Sequence, residues 1–168
     1  SLKVGNELEY YTDGTTIKKN LNRVAGKYDG KQEVFYDNGK LKTSVTYKND
    51  LIVDSASWDT AGNSIPYLGF GRKAKPGFNI NDYVSKNINY PNEARKKNIQ
   101  GTVMMHFYIE SNGTLSNIKS EGETIPYLTD EALRVMATSQ KWQPAMYEGF
   151  VIRSSFRFPI RFKLDKGS

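Results

Sequence analysis

The sequence predicts an α+β protein: a sheet of antiparallel β-hairpins, followed by a second region in which a hairpin, a helix and a long strand occur in that order. Three observations carry this. The first half repeats an aromatic residue followed by a glycine turn, at Gly14, Gly39 and Gly62. Residues 101–120 read as two strands around Asn112-Gly113, among the strongest short hairpin signals. Residues 150–164 show period-2 alternation of apolar and mostly basic residues, Phe150, Ile152, Ser154, Phe156, Phe158, Ile160, Phe162 and Leu164 against Val151, Arg153, Ser155, Arg157, Pro159, Arg161 and Lys163.

Taken in order, the repeats come first. Tyr11-Thr12-Asp13-Gly14, Tyr36-Asp37-Asn38-Gly39 and Trp58-Asp59-Thr60-Ala61-Gly62 place their glycines 25 and then 23 residues apart, and self-similarity at a near-fixed period signals stacked units. Within one unit, Gln32 to Tyr36 and Lys40 to Tyr47 flank the turn as strands, and Leu51 to Trp58 begins the next. This spacing, with Gly-Lys-Gln-Glu-Val-Phe-Tyr-Asp-Asn-Gly at residues 30–39, resembles MORN-type repeats over residues 5–62, the third copy departing at Ala61. The resemblance implies a scaffold or binding surface without fixed chemistry, and a plain spacer fits the same residues. Residues 1–64 form this expected domain.

Residues 65–78 follow as a linker, rich in glycine and proline (Pro66, Gly69, Gly71, Pro76, Gly77), with Tyr67, Leu68 and Phe70 able to pin it to either neighbour. In the expected second domain, residues 79–168, Asn81 is positioned to cap a helix over Asp82 to Asn87, and Pro91 suits the first turn of another over Asn92 to Lys97. Val103, Met105, Phe107 and Ile109 give the next strand, Gly101 to Glu110, an apolar face, and Leu115 to Ser120 returns. Thr129 is the expected N-cap of a helix ending near Ser139, with Asp130 and Glu131 favouring its positive end. The last strand anchors the sheet, since each fully buried apolar side chain is worth roughly 1.5–3 kcal/mol. Its Pro159 has no N–H for a ladder and therefore argues for an exposed edge, where a partner strand can add.

The series Tyr90-Pro91-Asn92-Glu93-Ala94-Arg95, Gly101-Thr102-Val103, Phe107, Asn112-Gly113, Leu128, Glu131-Ala132, Trp142-Gln143-Pro144-Ala145 and Pro159-Ile160-Arg161-Phe162 resembles the C-terminal domain of TonB-type energy transducers. It covers about half the chain. The resemblance implies a three-stranded antiparallel sheet packed by helices on one face, in the periplasm of Gram-negative bacteria. It further implies capture of the box peptide at the N-terminus of a TonB-dependent outer-membrane receptor, added as a strand along the last strand. Carried over onto this sequence, the peptide contacts are Arg153, Ser154, Ser155, Phe156, Arg157 and Phe158, with Asn87, Asn89 and Tyr90 from the segment at the Tyr-Pro pair. Coupling to an inner-membrane proton-motive complex would run through a segment that this sequence does not contain, and a membrane anchor would lie there too. Exposed edges also allow two copies to pair as a homodimer.

Composition bounds the function classes. No run approaches the roughly 20 apolar residues of a spanning helix, and Ser1-Leu2-Lys3-Val4 has no signal-peptide character. The net charge of +6 is evenly spread, 12 basic and 9 acidic residues on each side of Pro76, so no nucleic-acid partner is expected. Arg153, Arg157, Arg161 and Lys163 form the one basic cluster, suited either to guarding the edge or to steering an acidic peptide. With no cysteine and the single His106, neither a metal triad nor the usual nucleophile–base set can be built. Carboxylate pairs stand at Glu121 with Glu123 and at Asp130 with Glu131; the first lies in a loop after a strand, and the second is explained by the helix dipole rather than by a glycosidase-like pairing. We therefore expect a non-enzymatic envelope protein without cofactor. The alternative is a non-energised adaptor or scaffold that binds other envelope proteins or cell-wall material.

Overall fold

A computed structural model describes residues 4–164; residues 1–3 and 165–168, which include the expected ends of both domains and most of the Ser1-Leu2-Lys3-Val4 start, lie outside the described residues. The elements run β1 (Val4–Tyr10), β2 (Ile17–Val24), β3 (Lys27–Tyr28), β4 (Gly30–Phe35), β5 (Leu41–Lys48), β6 (Leu51–Trp58), β7 (Ser64–Ile65) and β8 (Lys75–Pro76). Then come α1 (Ile80–Asn87), α2 (Asn92–Lys96), β9 (Gly101–Ile109), β10 (Leu115–Glu121) and α3 (Leu128–Ala137). The chain closes with β11 (Trp142–Gln143), β12 (Ala145–Tyr147), β13 (Phe150–Ile152) and β14 (Ser154–Phe162). Contacts divide it into two compact units, residues 4–71 with 147–150, and residues 72–146 with 151–164.

In the first unit, seven antiparallel strands lie in the order β1-β2-β4-β5-β6-β7, with β3 beside β2. Each turn closes the same way: Gly14 N–H donates to Tyr11 O, Gly39 to Tyr36 O and Gly62 to Asp59 O. The two tyrosines do more than precede a turn. The Tyr11 hydroxyl donates to Phe35 O and the Tyr36 hydroxyl to Trp58 O, both at 2.8 Å, so each forms a rung from one hairpin to the next. In the third turn the equivalent position is Asp59, one residue after the Trp58 that the sequence pattern suggests. Its carboxylate caps its own turn by accepting from the backbone of Ala61, Gly62 and Asn63.

The core of this unit is thin: Leu21, Val34, Val45 and the connector's Phe70, with Tyr28, Tyr47 and Phe150 packed against it. Polar residues fill much of the rest. Gln32 is buried and spans backbone groups of Asn22, accepting from its N–H at 2.6 Å and donating to its carbonyl at 2.9 Å, while Thr43 and Ser57 bond to each other at 3.2 Å. Glu148 is also buried, 3% exposed, between Lys19 (2.8 Å), Arg23 (2.7 Å) and the Tyr28 hydroxyl (2.6 Å). Burial alone would raise its carboxyl, but the bonds from Lys19 and Tyr28 outweigh that and hold it below the usual carboxylate range.

The second unit holds the sheet β10-β9-β14. Val103, Met105, Phe107 and Ile109 of β9 and Ile160 and Phe162 of β14 are buried against Ala94 of α2 and Leu128, Ala132 and Met136 of α3, so the helices cover one face. The Asn112-Gly113 turn links β9 and β10, and it also meets a distant segment. Trp142 N–H donates to Gly113 O at 2.8 Å, and a Cβ at Gly113 would overlap the Trp142 carbonyl.

Several expected boundaries move. The strand expected over 150–164 is two strands: β13 pairs with β12 through Glu148 and Gly149, whose φ angles of 48° and 77° make a left-handed hairpin turn, and the ladder restarts at Ser154. The physical reason is that Phe150 packs on the core of the first unit instead of following the alternation of β14. α1 begins at Ile80 because Asn79, not Asn81, accepts the free N–H groups of Asn81 and Asp82. α3 begins at Leu128, since Thr129 is already inside the helix and turns its hydroxyl back to accept from Ile125 N–H at 3.1 Å.

Candidate peptide-docking edge

The β14 strand pairs with β9 without interruption, from Ser154 opposite Ile109 to Phe162 opposite Gly101. Among the described residues, no strand pairs with its other side. Pro159 lies within this unbroken ladder, opposite Met104. A proline is accommodated there where its nitrogen faces away from the partner strand. By the alternation of an antiparallel ladder, the backbone groups of Ser155, Arg157 and Arg161 then point to the open side as well, and those of Ser154, Phe156 and Phe158 to β9. Helix α1 stands across from this open side. Val84, Ser85 and Ile88 face Phe158, Pro159 and Arg161 over a groove of about 690 Å³.

The basic cluster of β14 divides in two. Arg153 bonds Glu110 at 2.8 Å and lies 3.8 Å from the centre of the Tyr108 ring, while Arg157 holds both oxygens of Glu121, at 2.7 and 3.2 Å. Both carboxylates sit below their usual range, Glu110 through bonds from Ser116 and Arg153, and Glu121 through Arg157. Arg161 and Lys163, which border the groove, have no ion pair among the described residues. The side chains of Phe156 and Phe158 pack against the core, Phe156 5.0 Å from Trp142 between ring centres. Ser154 Oγ is buried with no hydrogen-bond partner among the described residues.

Asn87 at the end of α1, and Asn89 and Tyr90 in the segment leading to α2, do not line this groove and are held in place by their own chain. The Asn87 side chain donates to Tyr83 O at 2.7 Å, and the Asn87 backbone carbonyl accepts from Arg134 at 2.6 Å. Asn89 N–H donates to Glu131 at 2.6 Å. The Tyr90 hydroxyl donates to Ile99 O at 2.6 Å, and its ring meets Phe162 edge-on at 5.9 Å. The Glu131–Arg134 pair on α3 thus braces this loop, a role that the helix-dipole reading of Glu131 did not include. Ile88, Val84 and Ser85 were equally missed as groove residues. The apolar spacing of Ile80, Val84 and Ile88 was their one available signal.

The fold and edge define an α+β domain with an open strand beside a helix-walled groove. Residues 86–164 match the family model described as Gram-negative bacterial TonB protein C-terminal. That match supports a TonB-like periplasmic domain of the cell envelope, engaged in protein–protein interaction. No curated protein matches the chain. Among the described residues, no helix is long and apolar enough to cross a membrane.

Proposed function

We propose that the second unit captures an extended peptide from a TonB-dependent outer-membrane receptor by strand addition to β14, transmitting energy from an inner-membrane proton-motive complex. The observation that carries this reading is the unpaired side of β14, and the family match over 86–164 supports it. In this reading Ser155, Arg157 and Arg161 offer the backbone pairing groups, and the groove beside α1 takes alternate side chains. Arg161 and Lys163 steer acidic residues of the peptide. About five new backbone bonds at about 0.5–1.5 kcal/mol each, less several kcal/mol of lost freedom, limit the affinity from backbone pairing to micromolar or weaker. Such an interaction is reversible. The first unit serves as a MORN-like binding or spacing sheet, and no catalytic step is assigned to either unit.

Calorimetric titration of a receptor box peptide tests the proposal. Ser155→Pro removes an outward N–H while sparing the β9 ladder, so it should weaken binding about tenfold with the fold intact. Phe156→Pro should instead break the ladder and unfold the domain. Wild-type affinity in Ser155→Pro would refute strand addition at this edge.

A further inference from the structure

The first unit carries its own unpaired edge. The two residues of β7 pair with Ser57 and Trp58, and among the described residues no strand pairs with residues 51–56 of β6 on that side. Three consecutive large apolar residues stand exposed there, Leu51 at 70%, Ile52 at 50% and Val53 at 60%. Such a run on a sheet edge invites association unless it has a designated partner. Ile52 also forms a wall of an aromatic cleft of about 310 Å³, with Tyr47, Tyr67 and Phe70.

Charge and shape narrow the occupant. Asp50 and Asp54 bracket the apolar run; Asp50, in the turn before β6, accepts from Tyr28 N–H at 3.0 Å and pairs with Lys27 at 3.6 Å, and Asp54 has no ion pair among the described residues. A second copy pairing antiparallel about Asp54 would set the two Asp54 carboxylates together. Like charges directly opposite are destabilising. Val53 is the extra residue of a bulge, because Thr46 pairs with Asp54 and Tyr47 with Ile52. The bend further discourages a long self-matched sheet. What fits is a short extended segment, apolar at its centre and basic at its end, that turns one bulky side chain into the cleft. We infer that the β6 edge is a docking site for an extended apolar segment flanked by lysine or arginine, separate from the β14 edge.

Two labelled peptides of alternating valine and threonine, one ending in lysines and the other in glutamates, test this on the full chain by fluorescence anisotropy, with amide NMR to locate them. The lysine-ended peptide should bind about five-fold tighter and shift the amides of residues 51–56. Asp54→Lys should reverse the preference, and Leu51→Lys with Val53→Lys, both at exposed positions, should abolish binding without loss of fold. Equal affinity for both peptides, no binding by either, shifts confined to β14, or a dimer dissolved by Leu51→Lys would each overturn the inference.

Discussion

The two sheets are stabilised by different means. In the second unit, ten large or small apolar side chains named above close over one face of three strands, and Phe107 lies at the centre with Trp142 5.3 Å away between ring centres. In the first unit, the buried apolar residues among the described ones are four, Leu21, Val34, Val45 and the connector's Phe70, and tyrosine rungs, a buried glutamine and a buried carboxylate order much of the rest. Burial is non-directional and tolerates small shifts, whereas hydrogen-bonded interiors require each partner to be present. The first sheet should therefore respond to loss of single polar atoms, and the second to loss of volume.

The largest expected effect lies in the second unit. Phe107→Ala should cost about 3–5 kcal/mol by denaturant unfolding, as a large core residue leaving a cavity. A loss below about 1 kcal/mol would mean that the core collapses around the vacancy. Next, Glu148→Ala should destabilise the first unit by about 3 kcal/mol at neutral pH, since it strips a buried charge from Lys19 and Arg23. The folded carboxyl has a depressed pKa, so its stabilising contribution is present above the unfolded carboxyl value and disappears as pH falls through the folded one. The wild-type first unit should weaken in acid by amide exchange, and the variant should show a flatter acid limb. Smallest is Tyr36→Phe, which removes one rung to Trp58 O and should cost about 1 kcal/mol in the first unit alone. If that variant matched wild type, the rungs would be incidental to the stability of the sheet.

Local patterning made much of this legible. The alternation of β9 and β14 and both Asn-Gly turns depends on neighbours in sequence, and the open edge announced itself through Pro159. What escaped was long-range. Glu148 gives no sign in sequence of partners 120 to 129 positions away. The pairing of Arg153 with Glu110 and of Arg157 with Glu121 depends on which residues the three-strand register sets side by side. Phe150 continues the alternation of the last strand on paper, yet the turn at Glu148-Gly149 delivers it to another core.

Asn38-Gly39 and Asn112-Gly113 are the same dipeptide in the same kind of turn, and the molecule treats them oppositely. A Cβ at Gly39 would meet nothing nearer than Thr16 Cγ2 at 4.0 Å, whereas the tip at Gly113 is wedged against the Trp142 main chain. An affinity tag or fluorophore spliced into the first loop has room to project into solvent; spliced into the second, it would prise Trp142 from its seat. The hairpin tip of β9 and β10 is thus a keystone, and only the other loop is a handle.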